Sequence, residues 1–166
     1  MASKRRIMIY AIGIPLAAVA LAALILATHI EDWSRDLTTN RAAATPDARD
    51  PRLRPLELEA GPRVLLARID RLIAESSAWR EPEAPKPLPA DSPLPALWTG
   101  EVVETRHLVH VSGLMRYRDD VWVAIEPAPE GRWRVWAESR SRIGKGDLGQ
   151  NPRNLRELLS ALGDAG

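Results

Sequence analysis

The residues best suited to chemistry lie between Arg140 and Asn154, where cationic side chains alternate with glycines ahead of a predicted helix. Glycines allow turns with positive φ, which bring backbone N–H groups together. Such N–H groups at a helix start, combined with cations, can bind a lipid phosphate or a carboxylate on a partner. The candidate residues for this anion or partner site are Arg140, Arg142, Lys145, Asp147, Asn151 and Arg153.

The same stretch also has a purely structural interpretation, which the sequence favours. Asp147 would cap backbone N–H groups, and Asn151 would begin the last helix. The two arginines would pair with carboxylates on neighbouring strands, for which the candidates are Asp119, Asp120 and Glu138. The stretch is not a phosphate-binding P-loop, because it lacks the preceding glycine and the Lys-Ser/Thr pair.

Signals for catalysis or metal binding are weak. His107 and His110 are three residues apart, so on a strand they point to opposite faces and cannot share one metal ion. Ser139 and Ser141 lie outside any G-x-S-x-G elbow or S-x-x-K motif. The absence of cysteine excludes thiolate nucleophiles and thiolate metal sites. We therefore predict a non-enzymatic protein without a cofactor or a metal site.

The charge balance argues against a nucleic-acid partner. The chain has 23 basic and 22 acidic residues. Because Lys4, Arg5 and Arg6 lie at the N-terminus, the rest of the chain is slightly acidic. A nucleic-acid binder would instead carry a basic surface.

The N-terminal basic cluster precedes a stretch without charge from Ile7 to Ile30. A helix of this length is roughly 36 Å long, against about 30 Å for a bilayer core. We predict an uncleaved transmembrane anchor over residues 7–30, because the run is longer than that of a signal peptide and ends without a cleavage site. The positive-inside rule then places residues 1–6 in the cytoplasm and the C-terminal domain on the periplasmic, extracytoplasmic side.

The segment after the anchor predicts a linker, a helix and a second connector. Residues 31–60 are polar and proline-containing, which is typical of a linker. A helix begins near Pro62 and ends near Ser77, with leucines and isoleucines spaced along one face. Residues 81–95 are too rich in proline for a helix or a central strand, so we predict an extended connector.

The C-terminal half predicts a sheet. Short turn signals between β-rich segments favour antiparallel neighbours, and a leucine stripe follows in the last helix. The fold class predicted is α+β, an N-terminal transmembrane helix followed by a two-layer domain over 61–163, with about four antiparallel strands and two helices on one face. The predicted strands are Thr99–Glu104, Leu108–Tyr117, Val121–Glu126 and Arg132–Glu138.

A series of short motifs lies within roughly residues 115–156: Asp119-Asp120-Val121, Glu138 to Gly144, Gly146-Asp147-Leu148-Gly149, Asn151 and Arg153. In order and spacing these motifs resemble the domain-of-unknown-function 1499 family. The resemblance implies no assigned activity; members of the family look like envelope or organelle-membrane proteins, some of them associated with photosynthetic membranes. This chain lacks the family's cysteine-containing, proline-rich motif upstream of the first domain helix.

Together these observations predict a single-pass membrane protein whose extracytoplasmic domain is a non-enzymatic accessory or assembly module of a membrane complex, with a protein partner. The alternative is a domain that binds an anion or a lipid headgroup through the Arg140–Asn154 loop. An enzyme is the least favoured of the three classes.

Overall fold

Three long antiparallel strands form the centre of the fold, in a computed structural model that describes residues 2–29, 33–113 and 115–163. The architecture is α+β, as the sequence predicts. In chain order the elements are α1 (Ala2–His29), α2 (Trp33–Thr38), β1 (Arg41–Ala43), β2 (Leu56–Leu58), α3 (Pro62–Glu75), β3 (Trp79–Arg80), β4 (Glu104–Val111), β5 (Arg118–Pro127), β6 (Trp133–Ser141) and α4 (Gln150–Gly163).

Among the residues described, the sheet has six strands in the order β1-β6-β5-β4-β3, and β2 also pairs with β6. All of these pairings are antiparallel. In the centre, Val123 of β5 lies between Arg106 of β4 and Ala137 of β6. Short connections join β4 to β5 and β5 to β6, and only antiparallel neighbours can be joined by such tight loops.

One face of the sheet carries the main core. Alternate residues of β5 and β6, such as Val121, Val123 and Val135, pack against the apolar sides of α3 and α4. Leu65 of α3 and Leu158 of α4 are fully buried there. The prediction that two helices cover the same face is therefore confirmed, and it follows from the spacing of their leucines and isoleucines.

The opposite face is covered by the proline-rich connector. Leu94, Ala124 and Trp136 form a second apolar cluster, against which Leu88 and Trp98 pack. Prolines remove backbone donors, so this segment lies over the sheet without adding a strand to it. A connector predicted as extended chain thus becomes the second layer over the sheet, and it buries polar side chains beneath it.

Within residues 31–60, predicted as a linker, two short strands, Arg41–Ala43 and Leu56–Leu58, pair with the sheet. β1 pairs with β6 from Arg41 opposite Arg140, and β2 pairs with β6 from Leu56 opposite Val135. Each strand is only three residues long. A run this short shows no periodicity in the sequence, and its stability comes from the longer strand beside it.

The number and limits of the strands also differ from the prediction. The described part of the chain contains six strands, and β4 alone replaces the first two long segments predicted, 99–104 and 108–117. Asp119 and Asp120 fall between the predicted strands Leu108–Tyr117 and Val121–Glu126, but they lie inside β5. Aspartate is disfavoured in strands, but here side chains from other elements supply hydrogen-bond donors to both carboxylates.

The predicted transmembrane anchor over residues 7–30 is contradicted. Among the residues that the structure describes, no helix meets both the length and the apolarity needed to cross a membrane. The prediction rested on the length of residues 7–30 and on their lack of charge. The extracytoplasmic location of the domain is a separate prediction, which the fold does not test.

Candidate functional site

Asp120 is the centre of a polar cluster under the proline-rich connector. Arg142 donates to both of its carboxylate oxygens, from Nε at 3.0 Å and Nη2 at 2.6 Å. Lys86 Nζ lies 2.8 Å from Oδ2, and His107 Nε2 lies 2.8 Å from Oδ1. This carboxylate therefore joins β4, the connector and the end of β6 in one hydrogen-bonded unit.

The surroundings of Asp120 fix its charge. Burial alone raises the pKa of this carboxyl, but the hydrogen bonds from Arg142, Lys86 and His107 outweigh burial and lower the pKa to about 2. His107 Nδ1 accepts the backbone N–H of Lys86 at 3.0 Å, so the ring carries its proton on Nε2 and donates it to Asp120. Trp122 stacks on the same ring. Arg142, Lys86 and His107 thus all donate to Asp120 and link the connector to the sheet.

Arg140 and Glu138 form a second ion pair on this face. Arg140 Nη2 donates to Glu138 Oε1 at 2.9 Å, and Nη1 donates to Asp91 of the connector at 2.9 Å. Glu138 is fully buried and also accepts from Ser92. Of the ion pairs predicted from the sequence, the structure contains Arg140 with Glu138 and Arg142 with Asp120.

Asp147 and Asn151 organise the start of α4. Asp147 accepts from the backbone N–H of Gly149 at 2.8 Å and of Asn151 at 3.1 Å, which is the capping role predicted for it. Burial raises the pKa of Asp147, while the hydrogen bond from Asn151 opposes that rise. The Asn151 side chain donates to Asn40 O at 2.8 Å and accepts from Ser139. Asn151 lies within α4, which begins at Gln150.

A close backbone contact fixes the loop ahead of α4, which we call the glycine loop (residues 142–149). At Gly146, a Cβ atom would lie 2.5 Å from the backbone of Leu37. Leu148 has φ +53° and donates its N–H to Asp36 O at 3.0 Å. The glycine therefore permits α2, which contains Asp36 and Leu37, to pack directly on this loop.

A groove with a volume of about 640 Å³ lies between the glycine loop and the hairpin loop (residues 112, 113 and 115–117) that joins β4 to β5. Large apolar side chains form its rim and remain exposed to between 41% and 59%. Pockets of this size are typical of ligand sites in proteins. The apolar rim residues are Met115, Tyr117, Ile143 and Leu148.

The lining of the groove also includes Asp119, a nearly fully buried carboxylate of β5. Its Oδ2 accepts from Asn154 Nδ2 at 2.9 Å. It makes no ion pair within the described part of the chain, in contrast to Asp120. Its strand neighbours in the same row across the sheet are His110 and Ser141.

Comparison with protein families matches residues 32–162 to "Protein of unknown function (DUF1499)". The chain belongs to the DUF1499 family. The match covers nearly all the described residues after α1, so it includes most of the predicted linker over residues 31–60. Neither the curated proteins nor the solved structures yield a match.

In this DUF1499 member, the six candidate residues of the Arg140–Asn154 stretch do not converge on one site. Arg140 and Arg142 point to the connector face, where carboxylates bind them. Asp147 and Arg153 line the groove, and Arg153 donates to Leu148 O at 3.2 Å. Asn151 is buried in the network at the start of α4. Lys145 is exposed.

Sequence reasoning missed the rim of the groove in this DUF1499 domain. Met115 and Tyr117 fell inside a predicted strand, and Ile143 and Leu148 were read only as parts of a motif. One available signal was the presence of apolar residues in loops, where polar residues are the norm. His107 and His110, predicted on opposite faces, do lie on opposite faces of the sheet, since their strand partners are Trp122 and Asp119.

Proposed function

We propose that this protein is a non-enzymatic accessory module that binds a protein partner in the groove between its hairpin loop and its glycine loop. The observation that carries the proposal is the exposed rim, four large apolar side chains contributed by two separate loops. Grouped apolar side chains of this kind mark interaction sites on folded proteins.

Hydrogen bonds hold the described rim residues Leu148 and Tyr117 in place, which favours binding. Leu148 is held by its N–H bond to Asp36 O. Tyr117 O accepts from Ser112 N–H, and Tyr117 N–H donates to Ser112 Oγ. Asp147 fixes the turn between the glycine loop and α4 through Gly149. A preformed surface loses little conformational entropy when a partner binds, so more of the contact energy contributes to affinity.

The contacts of the strongest polar groups favour a binding role over catalysis. Asp120 and Glu138 are each occupied by arginine, and His107 is hydrogen-bonded through both ring nitrogens. Groups held in this way have no free position from which to transfer a proton. They stabilise the platform that carries the groove.

The alternative function, anion or lipid-headgroup binding by the Arg140–Asn154 loop, has less support. Two of its four cations, Arg140 and Arg142, are already neutralised by carboxylates at 2.6–2.9 Å. An incoming phosphate would have to displace those carboxylates, leaving buried charges without partners. Binding in the groove does not require the displacement of these carboxylates.

Site-specific photo-cross-linking in cells that naturally contain this protein tests the proposal. A photoreactive benzoylphenylalanine replaces Met115 or Ile143 in the full chain, and Val64 of α3 serves as the control because it is also about half exposed. We expect the same cross-linked protein at both groove positions and not at position 64. Serine at position 143 should then remove the cross-link formed from position 115. Identical products from all three positions would contradict the proposal.

A further inference from the structure

The two neighbouring aspartates of β5 differ in how their charges are compensated. Asp120 is bound by Arg142, Lys86 and His107. Asp119 is only 1% exposed, and its one hydrogen-bond donor is the neutral side chain of Asn154, which uses Oδ2. Within the described residues it makes no ion pair, because Arg142, which interacts electrostatically with Asp119, is hydrogen-bonded to Asp120. A buried carboxylate without a hydrogen-bonded cation is unusual, because burial of unpaired charge is unfavourable.

The position of Asp119 shows from which side a cation could reach it. It lines the groove whose rim is formed by Met115, Tyr117, Ile143 and Leu148. A second carboxylate, that of Asp147, also lines the groove, as does the guanidinium of Arg153, which donates to Leu148 O and Gln150 Oε1. A group that enters would therefore pass apolar walls first and then meet an acceptor at the floor.

On the basis of the binding function proposed above, we infer that the partner inserts a lysine side chain into this groove, with its ammonium group on Asp119. The four-carbon stem of lysine can pack between apolar side chains while its charged end reaches a polar group. The ammonium supplies the cation that Asp119 lacks, and a partly desolvated ion pair of this kind is stronger than one on the surface. The carboxylate of Asp119 and the apolar rim of the groove thus both favour a lysine side chain.

The test uses the full chain carrying 13C-methyl methionine, with n-hexylammonium as the probe for lysine and 1-hexanol as its neutral counterpart. The Met115 methyl signal, assigned by its loss in M115L, reports occupation of the groove. The matched variants are D119N, whose amide oxygen can still accept from Asn154, and D47N, which changes an exposed aspartate outside the groove.

We expect n-hexylammonium to shift the Met115 signal with at least fivefold higher affinity than 1-hexanol. D119N should remove this difference, and D47N should retain it. Equal affinities of the two probes for the unaltered chain, or no shift with either, would overturn the inference.

These outcomes are distinct from failure of the proposed function. If cross-linking to the partner stays specific for positions 115 and 143 while D119N leaves it unchanged, the lysine inference fails and the binding site stands. If cross-linking is the same at position 64, the proposed function itself fails.

Discussion

Asp119 and Asp120 are adjacent in β5, yet their carboxylates lie on opposite faces of the sheet and have different contacts. Asp120 joins the connector to the strands through Arg142, Lys86 and His107. Asp119 lines the groove and accepts from Asn154. The alternation of a strand produces this division, since successive side chains point to opposite sides.

Removing the charge at Asp120 should destabilise the protein in a pH-dependent way. The folded-state pKa is about 2, below its usual 3.8, so this carboxylate stabilises the fold above about pH 4 and loses that contribution as the pH falls towards 2. We expect D120N to lower the free energy of unfolding at pH 7 by about 2 kcal/mol.

Urea unfolding of the full chain at pH 7, 4 and 2.5 measures this effect. The difference between D120N and the unaltered chain should shrink at the lowest pH. D91N is the control, because the Asp91 side chain is 68% exposed although it also pairs with an arginine. A deficit that stays constant down to pH 2.5 would show that the ion pairs of Asp120 are not its cause.

Gly146 should not tolerate a side chain. A Cβ atom would lie 2.5 Å from the Leu37 backbone and 2.7 Å from Asp36 O, so one of the two segments must move. We expect G146A to cost about 1–3 kcal/mol and to weaken the protection of the Leu148 N–H, which bonds to Asp36 O. Hydrogen exchange measures that protection. G113A is the control, since no atom lies within 4 Å of its added carbon. Equal protection of the Leu148 N–H in both variants would contradict the close contact between Gly146 and the Leu37 backbone.

Asn151 should be essential to the start of α4. Its side chain bonds to Asn40 O, Ser139 and Asp147, so alanine would leave several buried polar groups without their partner. We expect N151A to lower the free energy of unfolding by about 3 kcal/mol. K145A, at an exposed position, should change it by less than about 0.5 kcal/mol. Chemical denaturation measures the free energy of unfolding of both variants. Similar values for N151A and K145A would contradict the prediction that the hydrogen bonds of Asn151 stabilise the start of α4.

The parts of the fold that were predictable have long, repeated patterns. The leucine spacing of α3 and α4, and the alternation in β6, each extend over enough residues to identify an element. β1 and β2 have three residues each, and they are strands only because β6 pairs with them. The aspartates of β5 were misassigned because their partners come from distant parts of the chain.

The site was predictable only in part, for a related reason. The ion pair of Arg142 with Asp120 and the capping by Asp147 follow from residue type and local order. The groove instead requires two loops that are about thirty residues apart in the chain to meet at one end of the sheet, a relationship that local patterns do not contain. The proline-rich connector shows the same limit, since composition predicts its backbone but not the face that it covers.

The binding role of the groove is tested most directly by comparing two double variants of the full chain. M115S/I143S removes rim contacts, whereas V64S/V103S changes apolar residues of similar exposure outside the groove. Burial of a large apolar side chain contributes about 1.5–3 kcal/mol, so partial loss of two contacts should reduce partner binding by roughly tenfold or more. The measurement is the fraction of each variant that co-migrates with the cross-linked partner in native separation of cell extracts. We predict a loss of that size for M115S/I143S alone, and equal co-migration of the two variants would contradict the account.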